Sequence, residues 1–531
     1  MTALMNMPAW LNDAVFYEIY PQSFFDANGD GIGDIEGIIQ KLDYIRSLGC
    51  SAIWLNPCFD SPFKDAGYDV RDYKKVAPRY GTNDDLKRLF AEACKRNMRV
   101  LLDLVPGHTS EEHEWFQQSK EPAPNEFWNR YIWTDDWSAW ASGLKTVLGG
   151  AARNGSYAVN FFNTQPALNY GFFKPEQAWQ LPMDHPDCIA TLEAMKDVMR
   201  FWLDAGCDGF RVDMASSLVK CDDAENTGTS AIWRSVRAML DADYPEAALV
   251  SEWGHPSRAI KAGFHADFLL HFNGGAYNSL VRDYKMDADY NVAGSDNSFF
   301  KKDGNGDIRR FLDEYLPHYE ATKNDGFISL ITGNHDVPRL RLTLSPDEMA
   351  LAFAFILTMP GVPFLYYGDE IGMDYLNFVS KEGGYSRTGV RTPMQWSRGK
   401  NLGFSEAGAE KLYLPVDSAP DAPTVEDAEK DEGSLLNTVR ALLRLRHAEP
   451  DLQARPNLEI IFAEKSRLPF VYRRGSLLLA VNPGAKAASA QIQSAIAPKD
   501  SAPLYSLGSC ALEDGRVRME AQSFGVWRIS A

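Results

Sequence analysis

Apolar and polar positions along the chain follow two rhythms. Short runs rich in β-branched and aromatic residues lie at 14–20 (AVFYEIY), 51–55, 100–105, 209–213, 248–252, 267–271, 327–332 and 363–367. Their length and composition predict buried strands. Between them, apolar residues recur at helical spacing. Ile35, Ile38, Ile39, Leu42, Ile45 and Leu48 form the first such set, stopped by Gly49. Further helices are predicted at 84–97, 189–202, 232–240, 308–315, 349–359 and 435–445. Eight strands alternating with helices predict an α/β fold, a (β/α)8 TIM barrel with its site at the carboxyl ends of the strands. A doubly wound open sheet would also place a ligand there, but it seldom needs eight strands in strict alternation.

The alternation breaks twice. Residues 106–172 are rich in Trp, Asn, Gly and Pro and too long for a bare loop, which predicts an inserted domain after the third strand. From 450 to 531 short runs at 458–463, 468–472, 476–481, 517–519 and 524–529 predict an all-β sandwich domain. The barrel is then 1–105 and 173–449. The acidic, Pro-containing stretch 417–432 is expected to be an exposed loop.

Composition narrows the function classes. The 531 residues carry 72 acidic and 54 basic side chains, net -18, which opposes phosphate backbones and anionic membrane surfaces. No nucleic-acid or membrane partner is expected; a small neutral substrate is indifferent to that charge. The start lacks a basic n-region and a sustained apolar stretch, so a soluble, cytoplasmic protein is expected. The seven cysteines are scattered, without C-x-x-C spacing, and read as mostly buried small hydrophobes.

One loop has the chemistry of a cation site. In Asp26-Ala27-Asn28-Gly29-Asp30-Gly31-Ile32-Gly33-Asp34, oxygen-bearing side chains alternate with small residues, as in the first half of an EF-hand loop. Asp26, Asn28, Asp30 and Asp34 would give side-chain oxygens and Ile32 its carbonyl, holding a structural Ca2+, with Mg2+ as the alternative. No organic cofactor is expected.

The strand ends carry carboxylates. In Gly209-Phe210-Arg211-Val212-Asp213 the pleat places Arg211 and Asp213 on one face, which favours the ionised acid. Glu252 follows an apolar strand and precedes Trp253, where desolvation and a neighbouring anion favour the protonated form. Asp336 closes a third strand region. Acids gathered at one barrel mouth suit retaining glycoside hydrolysis, with Asp213 as nucleophile and Glu252 as acid then base. His108 and His335 would donate hydrogen bonds to sugar hydroxyls.

These residues sit in the segments DLVPGH (103–108), QPALN (165–169), GFRVD (209–213), the Glu252 strand end and GNHD (333–336). Together, in this order, they resemble the α-amylase superfamily, glycoside hydrolase family 13. The resemblance implies Asp213 as nucleophile, Glu252 as acid/base and Asp336 as the third carboxylate, with Arg211, His108 and His335 as polar contacts. YEIYPQSF and the 26–34 loop, DAGYDV (65–70) and RTPMQW (391–396) resemble the oligosaccharide-acting α-glucosidases, oligo-1,6-glucosidases among them. That implies Tyr68 stacking on the innermost sugar, Asp65 holding its hydroxyls, Phe162 as a second aromatic wall, and Arg391 as a partner of Asp65 or the terminal sugar. Tyr367 reads as structural. Pro106-Gly107, Ala167, Met214 and Ser397-Arg398 depart from the family's commoner residues, and Met214 leaves the linkage preference open.

The expected activity is hydrolysis of short α-glucosides through a glucosyl-Asp intermediate. One alternative keeps that intermediate and transfers the glucosyl unit to a sugar or phosphate, as sucrose phosphorylases and trehalose synthases do. A non-catalytic carbohydrate-binding homologue is disfavoured because all three carboxylates are present.

Overall fold

The computed structural model describes residues 7–136, 143–270, 275–378, 385–492, 498–499 and 502–530. Eight parallel strands form one sheet: β1 (Phe16–Ile19), β2 (Ala52–Leu55), β3 (Arg99–Leu104), β4 (Gly209–Val212), β5 (Ala248–Ser251), β6 (Ala266–Phe268), β7 (Phe327–Ser329) and β8 (Phe364–Tyr366). Neighbours follow chain order from β1 to β7, and β8 pairs with β1. Between β7 and β8 the Phe364 N–H donates to the Leu330 carbonyl and the Thr332 N–H to the Phe364 carbonyl, both at 3.0 Å, closing the barrel. All eight sequence-predicted strands are found; His271, the expected end of the sixth, lies outside the described residues.

Local chemistry explains the elements. The helix Asn83–Lys95 starts at a Thr82 capping box completed by Asp85 and buries Leu86, Leu89, Phe90 and Ala93. Gly209 stands at φ 134°, where a Cβ would lie 2.0 Å from the Ala248 carbonyl oxygen. Only glycine lets β4 start this close to β5. The predicted helix over 35–48 is divided at Lys41 into Ile35–Gln40 and Leu42–Leu48. In the helix Pro186–Asp204 the buried face runs through Cys188, Thr191, Met195, Val198, Met199 and Trp202, and Ile189 is 47% exposed.

After β3 the chain leaves the barrel for a three-stranded antiparallel sheet of Trp133–Thr134, Ser156–Val159 and Lys145–Leu148. Bridges between His108 and Ala167 and between Tyr131 and Leu168 tie this excursion to the β3 exit. The last part of the chain forms two antiparallel sheets, one of five strands between 458 and 528 and one of three, 488–491, 516–519 and 510–513. Alternation along Leu477–Asn482 shows why they stack. Leu478 and Ala480 join Val517, Leu512 and Trp527 between the two sheets, while Leu477, Leu479 and Val481 join the barrel-side core.

The acidic stretch 417–432 is not simply an exposed loop. Thr424 caps a helix Val425–Lys430, and Asp417, Ala422, Thr424 and Val425 are buried. The Thr424 hydroxyl accepts the Asp427 N–H, and acids in the first turn favour the helix N-terminus. Arg398, one of the departures from the family pattern, reaches Asp427 at 2.6 Å. Cys50, Cys58, Cys188 and Cys207 are buried, Cys510 is half-buried, and Cys94 and Cys221 are exposed; none is paired. Among the described residues no helix is long and apolar enough to cross a membrane.

Candidate active site

A cavity of about 470 Å³ opens at the carboxyl ends of the strands, lined by Asp65, Tyr68, His108, Asp213, Glu252, Asp336 and others from the connecting loops. Backbone geometry sets its acids. The Asp213 N–H donates to Leu104 of β3 (2.8 Å), and the Glu252 N–H to Val212 of β4 (2.9 Å), so each acid leaves its strand beside the other. After β7, Asn334 Oδ1 accepts the Asp336 and Val337 N–H groups, a turn that carries Asp336 to the cavity. Met214 is held at φ 41°, a left-handed conformation costly for a side chain with a Cβ, and its N–H then reaches Glu252 Oε2 at 3.1 Å.

Arg211 is 1% exposed and serves three carboxylates. Its Nη1 lies 2.8 Å from Asp103 Oδ1 and 3.2 Å from Asp213 Oδ1; its Nη2 lies 2.9 Å from Glu252 Oε2. The guanidinium also sits over the Trp54 ring, 4.7 Å from its centroid. Adjacent nitrogens of one guanidinium therefore bridge Asp213 and Glu252. Arg211 pulls the Asp213 carboxyl toward its ionised form, as the shared strand face predicts, but the surroundings oppose it. Burial and the neighbouring charge of Glu252 push the Asp213 carboxyl well above the usual range, against the pull of a guanidinium that is shared. Glu252 Oε2 takes both the Arg211 and Met214 donors, and Oε1 has no partner among the described residues.

Asp336 has the opposite environment. Burial disfavours its charge, but the imidazole of His335 and the guanidinium groups of Arg387 and Arg391 hold it well below the usual carboxylate range. Arg391, fully buried, donates to Asp336 Oδ1 at 2.7 Å and to the His335 carbonyl at 2.8 Å. It was expected to partner Asp65 or the terminal sugar; Asp65 takes Gln165 Nε2 (2.7 Å) and Arg387 Nη2 (3.3 Å), and the charge of Arg391 also favours its ionised form. Arg387 also reaches Asp336 at 3.4 Å, so it spans the two acids on either side of the cavity. Tyr68 and His108 both line the cavity. Burial lowers His108 to about 4, leaving it neutral, with Nε2 3.2 Å from the Tyr68 carbonyl and Nδ1 unpartnered. His335 lies just behind, its ring nearly parallel to that of Tyr68 at 5.3 Å.

Three participants were not anticipated. Phe161 lines the cavity, and Phe162 packs edge-on behind it at 4.6 Å, so the aromatic wall is one residue earlier than expected. Arg387 belongs to a segment without regular periodicity. Asp103 sits inside β3, where burial pushes it up to about 6 against the pull of Arg211. A lone acid within the apolar run VLLDLV was the available signal. Tyr367 is structural as read, its hydroxyl donating to the Thr392 carbonyl at 2.7 Å.

The 26–34 loop stands apart from this cavity's lining. Asp26 accepts from the N–H groups of Gly29 and Gly31, Asn28 from Asp30, Asp30 from Ile32, and Asp34 from Ala27 and Asn28. Asp34 Oδ2 spends both lone pairs on those two N–H groups and Asp26 Oδ2 also takes the Ser405 hydroxyl, so the lone pairs left to a cation lie on Asp26 Oδ1, Asn28 Oδ1 and Asp30 Oδ1. Among the described residues no group of three His, Cys, Asp or Glu side chains is gathered as a metal site.

A closed eight-stranded barrel with acids and an arginine at its strand ends is the architecture of barrel enzymes that work by carboxylate chemistry. The α-amylase catalytic-domain model matches residues 18–454, and the chain belongs to the α-amylase family, glycoside hydrolase family 13. A trehalose synthase/amylase of Mycobacterium tuberculosis is 33% identical over 491 residues, 84% of this chain and 77% of its own length. A glucan 1,6-alpha-glucosidase of Streptococcus pneumoniae is 31% identical, covering 82% of this chain and 84% of its own. Among solved structures, an isomaltulose synthase mutant from Erwinia rhapontici in complex with D-glucose superposes with a TM-score of 0.80 at 24% identity, over 99% of this chain and 100% of that one, a likeness of fold.

Proposed function

We propose that this protein is a retaining glycoside hydrolase that cleaves the α-glucosidic bonds of short oligosaccharides or small α-glucosides. The observation that carries this reading is one guanidinium, Arg211, bridging Asp213 and Glu252 at the floor of a sugar-sized cavity that Asp336 also faces. The relatives named as 1,6-alpha-glucosidases support it.

Asp213 attacks the anomeric carbon as Glu252 gives its proton to the departing oxygen, forming a glucosyl ester on Asp213. Glu252, now ionised and still held by Arg211 and the Met214 N–H, takes a proton from the water that opens the ester. Positive charge developing on the sugar stabilises the Asp213 carboxylate, which offsets the burial that raises its pKa in the unliganded site. Asp336, kept ionised by its arginines, and Asp65 hold ring hydroxyls, with Tyr68 against the sugar face and Phe161 at the rim.

A second reading is transfer of the glucosyl unit to another sugar. It is favoured by the relatives named trehalose synthase/amylase and by His255, Arg258 and Asn226 in the outer cavity, which offer an acceptor polar contacts. A hard cation would be held by Asp26, Asn28, Asp30 and the Ile32 carbonyl, and would brace the loop. We place the enzyme in the cytoplasm, which seven unpaired cysteines support. The deciding experiment follows maltose, isomaltose, trehalose, sucrose and an aryl α-glucoside by NMR. Release of α-glucose first supports retaining hydrolysis, a new disaccharide supports transfer, and β-glucose as first product overturns the mechanism.

A further inference from the structure

The turn that follows Glu252 is built on a carboxylate from the neighbouring strand. We propose that Asp267 is a positioning residue for the leaving-group half of the cavity: its carboxylate fixes the backbone of Trp253, Gly254 and His255, and through it the two side chains that face the aglycone beyond Glu252. The inference rests on the reading of that site given above and adds a determinant of which aglycones are accepted.

The pairing of β5 with β6 sets Asp267 beside Ser251. Ala266 and Phe268 pack into the barrel interior with Ala248 and Val250, so the pleat turns Asp267 and Ser251 outward. Asp267 is nevertheless fully buried. Its Oδ1 accepts the Ser251 hydroxyl at 2.6 Å and the Trp253 N–H at 3.0 Å, and its Oδ2 accepts the His255 N–H at 2.9 Å. The Gly254 N–H also bonds to the carboxylate. Burial pushes the carboxyl up to about 7, and these donors pull it down.

Consecutive backbone N–H groups turned onto one carboxylate form an anion-binding concavity. An extended strand exit would send successive N–H groups to opposite sides. The turn therefore needs a left-handed residue, and Gly254 supplies it at φ 70° without the penalty a Cβ would bring. Without Asp267 the Trp253 and His255 N–H groups lose their acceptor, and nothing else holds the turn in this shape.

What the turn presents is one side of the site. Glu252, Trp253 and His255 all line the cavity. Glu252 has anchors of its own: its N–H on Val212, its carbonyl on the Ala215 N–H, and its Oε2 on Arg211 and Met214. Trp253 and His255 depend on Asp267 instead. The glucosyl side is assembled on other loops, where Arg387 spans Asp65 and Asp336. Residues that flank the proton donor meet the group that departs with the proton, so Asp267 governs the aglycone and leaves the glucosyl half alone.

The test compares substrates that differ only in the leaving group. A disaccharide has a second sugar to seat, and α-glucosyl fluoride has none. Asp267→Asn sets an amide N–H against backbone N–H groups. It should lower kcat/KM for the best disaccharide about 10- to 100-fold, the worth of one unpaired buried donor, and change α-glucosyl fluoride by less than about 3-fold. Ser251→Ala, which removes one donor from Oδ1 and leaves the carboxylate in place, should shift the same ratio in the same direction by a smaller factor. In substrate-free protein, amide hydrogen exchange over 253–255 should be faster in Asp267→Asn, with β3 and β4 at the parent rate. Equal losses on both substrates, unchanged disaccharide turnover, or unchanged exchange at 253–255 would overturn the proposal. If Asp267→Asn does not fold, the ratio in Ser251→Ala decides. A parent that turns over no α-glucoside, while exchange at 253–255 responds as expected, would sink the functional reading and leave the turn held by Asp267 standing.

Discussion

Replacing Arg211 by lysine tests the electrostatic frame of the site. The guanidinium is buried and touches Asp103, Asp213 and Glu252 at 2.8, 3.2 and 2.9 Å. Lysine keeps the charge but presents a single ammonium, which cannot span three carboxylates held by a planar fork. At least one carboxyl is left buried without its counter-charge, and breaking such a pair costs about 3–5 kcal/mol. At about 2.1 cal/mol/K of unfolding entropy per residue, a chain of 531 residues shifts by about 1 °C per kcal/mol, so the lysine variant should melt about 3–5 °C lower unless a proton is taken up to relieve it. Activity should fall further than stability suggests, because Asp213 and Glu252 lose the bridge that fixes their separation. We expect a loss in kcat/KM of at least about 100-fold on an aryl α-glucoside, measured well below the melting temperature. Calorimetry and initial rates on the same preparation check both. A lysine variant that melts and turns over like the parent would refute the bridging role.

Arg387→Ala should raise KM for disaccharides by about 10- to 100-fold, since it removes charge-assisted contacts that order Asp65 and Asp336. A change in kcat alone would contradict that role. The carboxyl of Asp103 is pushed up to about 6, so kcat/KM should fall as the pH drops through that region, where protonation releases Arg211 and Tyr68. An acid limb of unchanged position in Asp103→Asn would assign it to another group. Chelator titration should lower the melting temperature if the 26–34 loop holds a cation, and added Ca2+ should restore it. An unmoved melting curve would leave the loop as a series of hydrogen-bonded turns.

The barrel was legible because its strands are short, mostly apolar runs and its helices 3.6-residue patterns, and both rhythms report burial directly. The same logic found Asp213 and Glu252, which end such runs. It did not find what depends on long-range packing. Arg387 lies in a short 3-10 helix, Tyr385–Val390, whose sequence carries no apolar rhythm, and only the folded barrel sets it between Asp65 and Asp336. Phe161 and Phe162 are adjacent, and a dipeptide outside regular structure has no periodicity to tell the inward ring from the one behind it. The helix Val425–Lys430 was hidden by its charge, though Thr424 followed by Asp427 is a capping signal. The strands at 488–491, 505–507 and 510–513 are short edge or second-sheet strands with mixed burial, where alternation is weak. The sharing of Arg211 was out of reach of the sequence, because neighbours along a strand predict a pair, whereas the fold makes Arg211 serve three acids.

The most direct test of the account is to trap the intermediate. The enzyme is incubated with a 5-fluoro-α-glucosyl fluoride, quenched in acid, digested and mapped by mass spectrometry. A hexosyl ester on the peptide carrying Asp213, with the Glu252 and Asp336 peptides unmodified, is the predicted result. An ester on another residue, or steady turnover of α-glucosides by Asp213→Asn, would contradict the central claim.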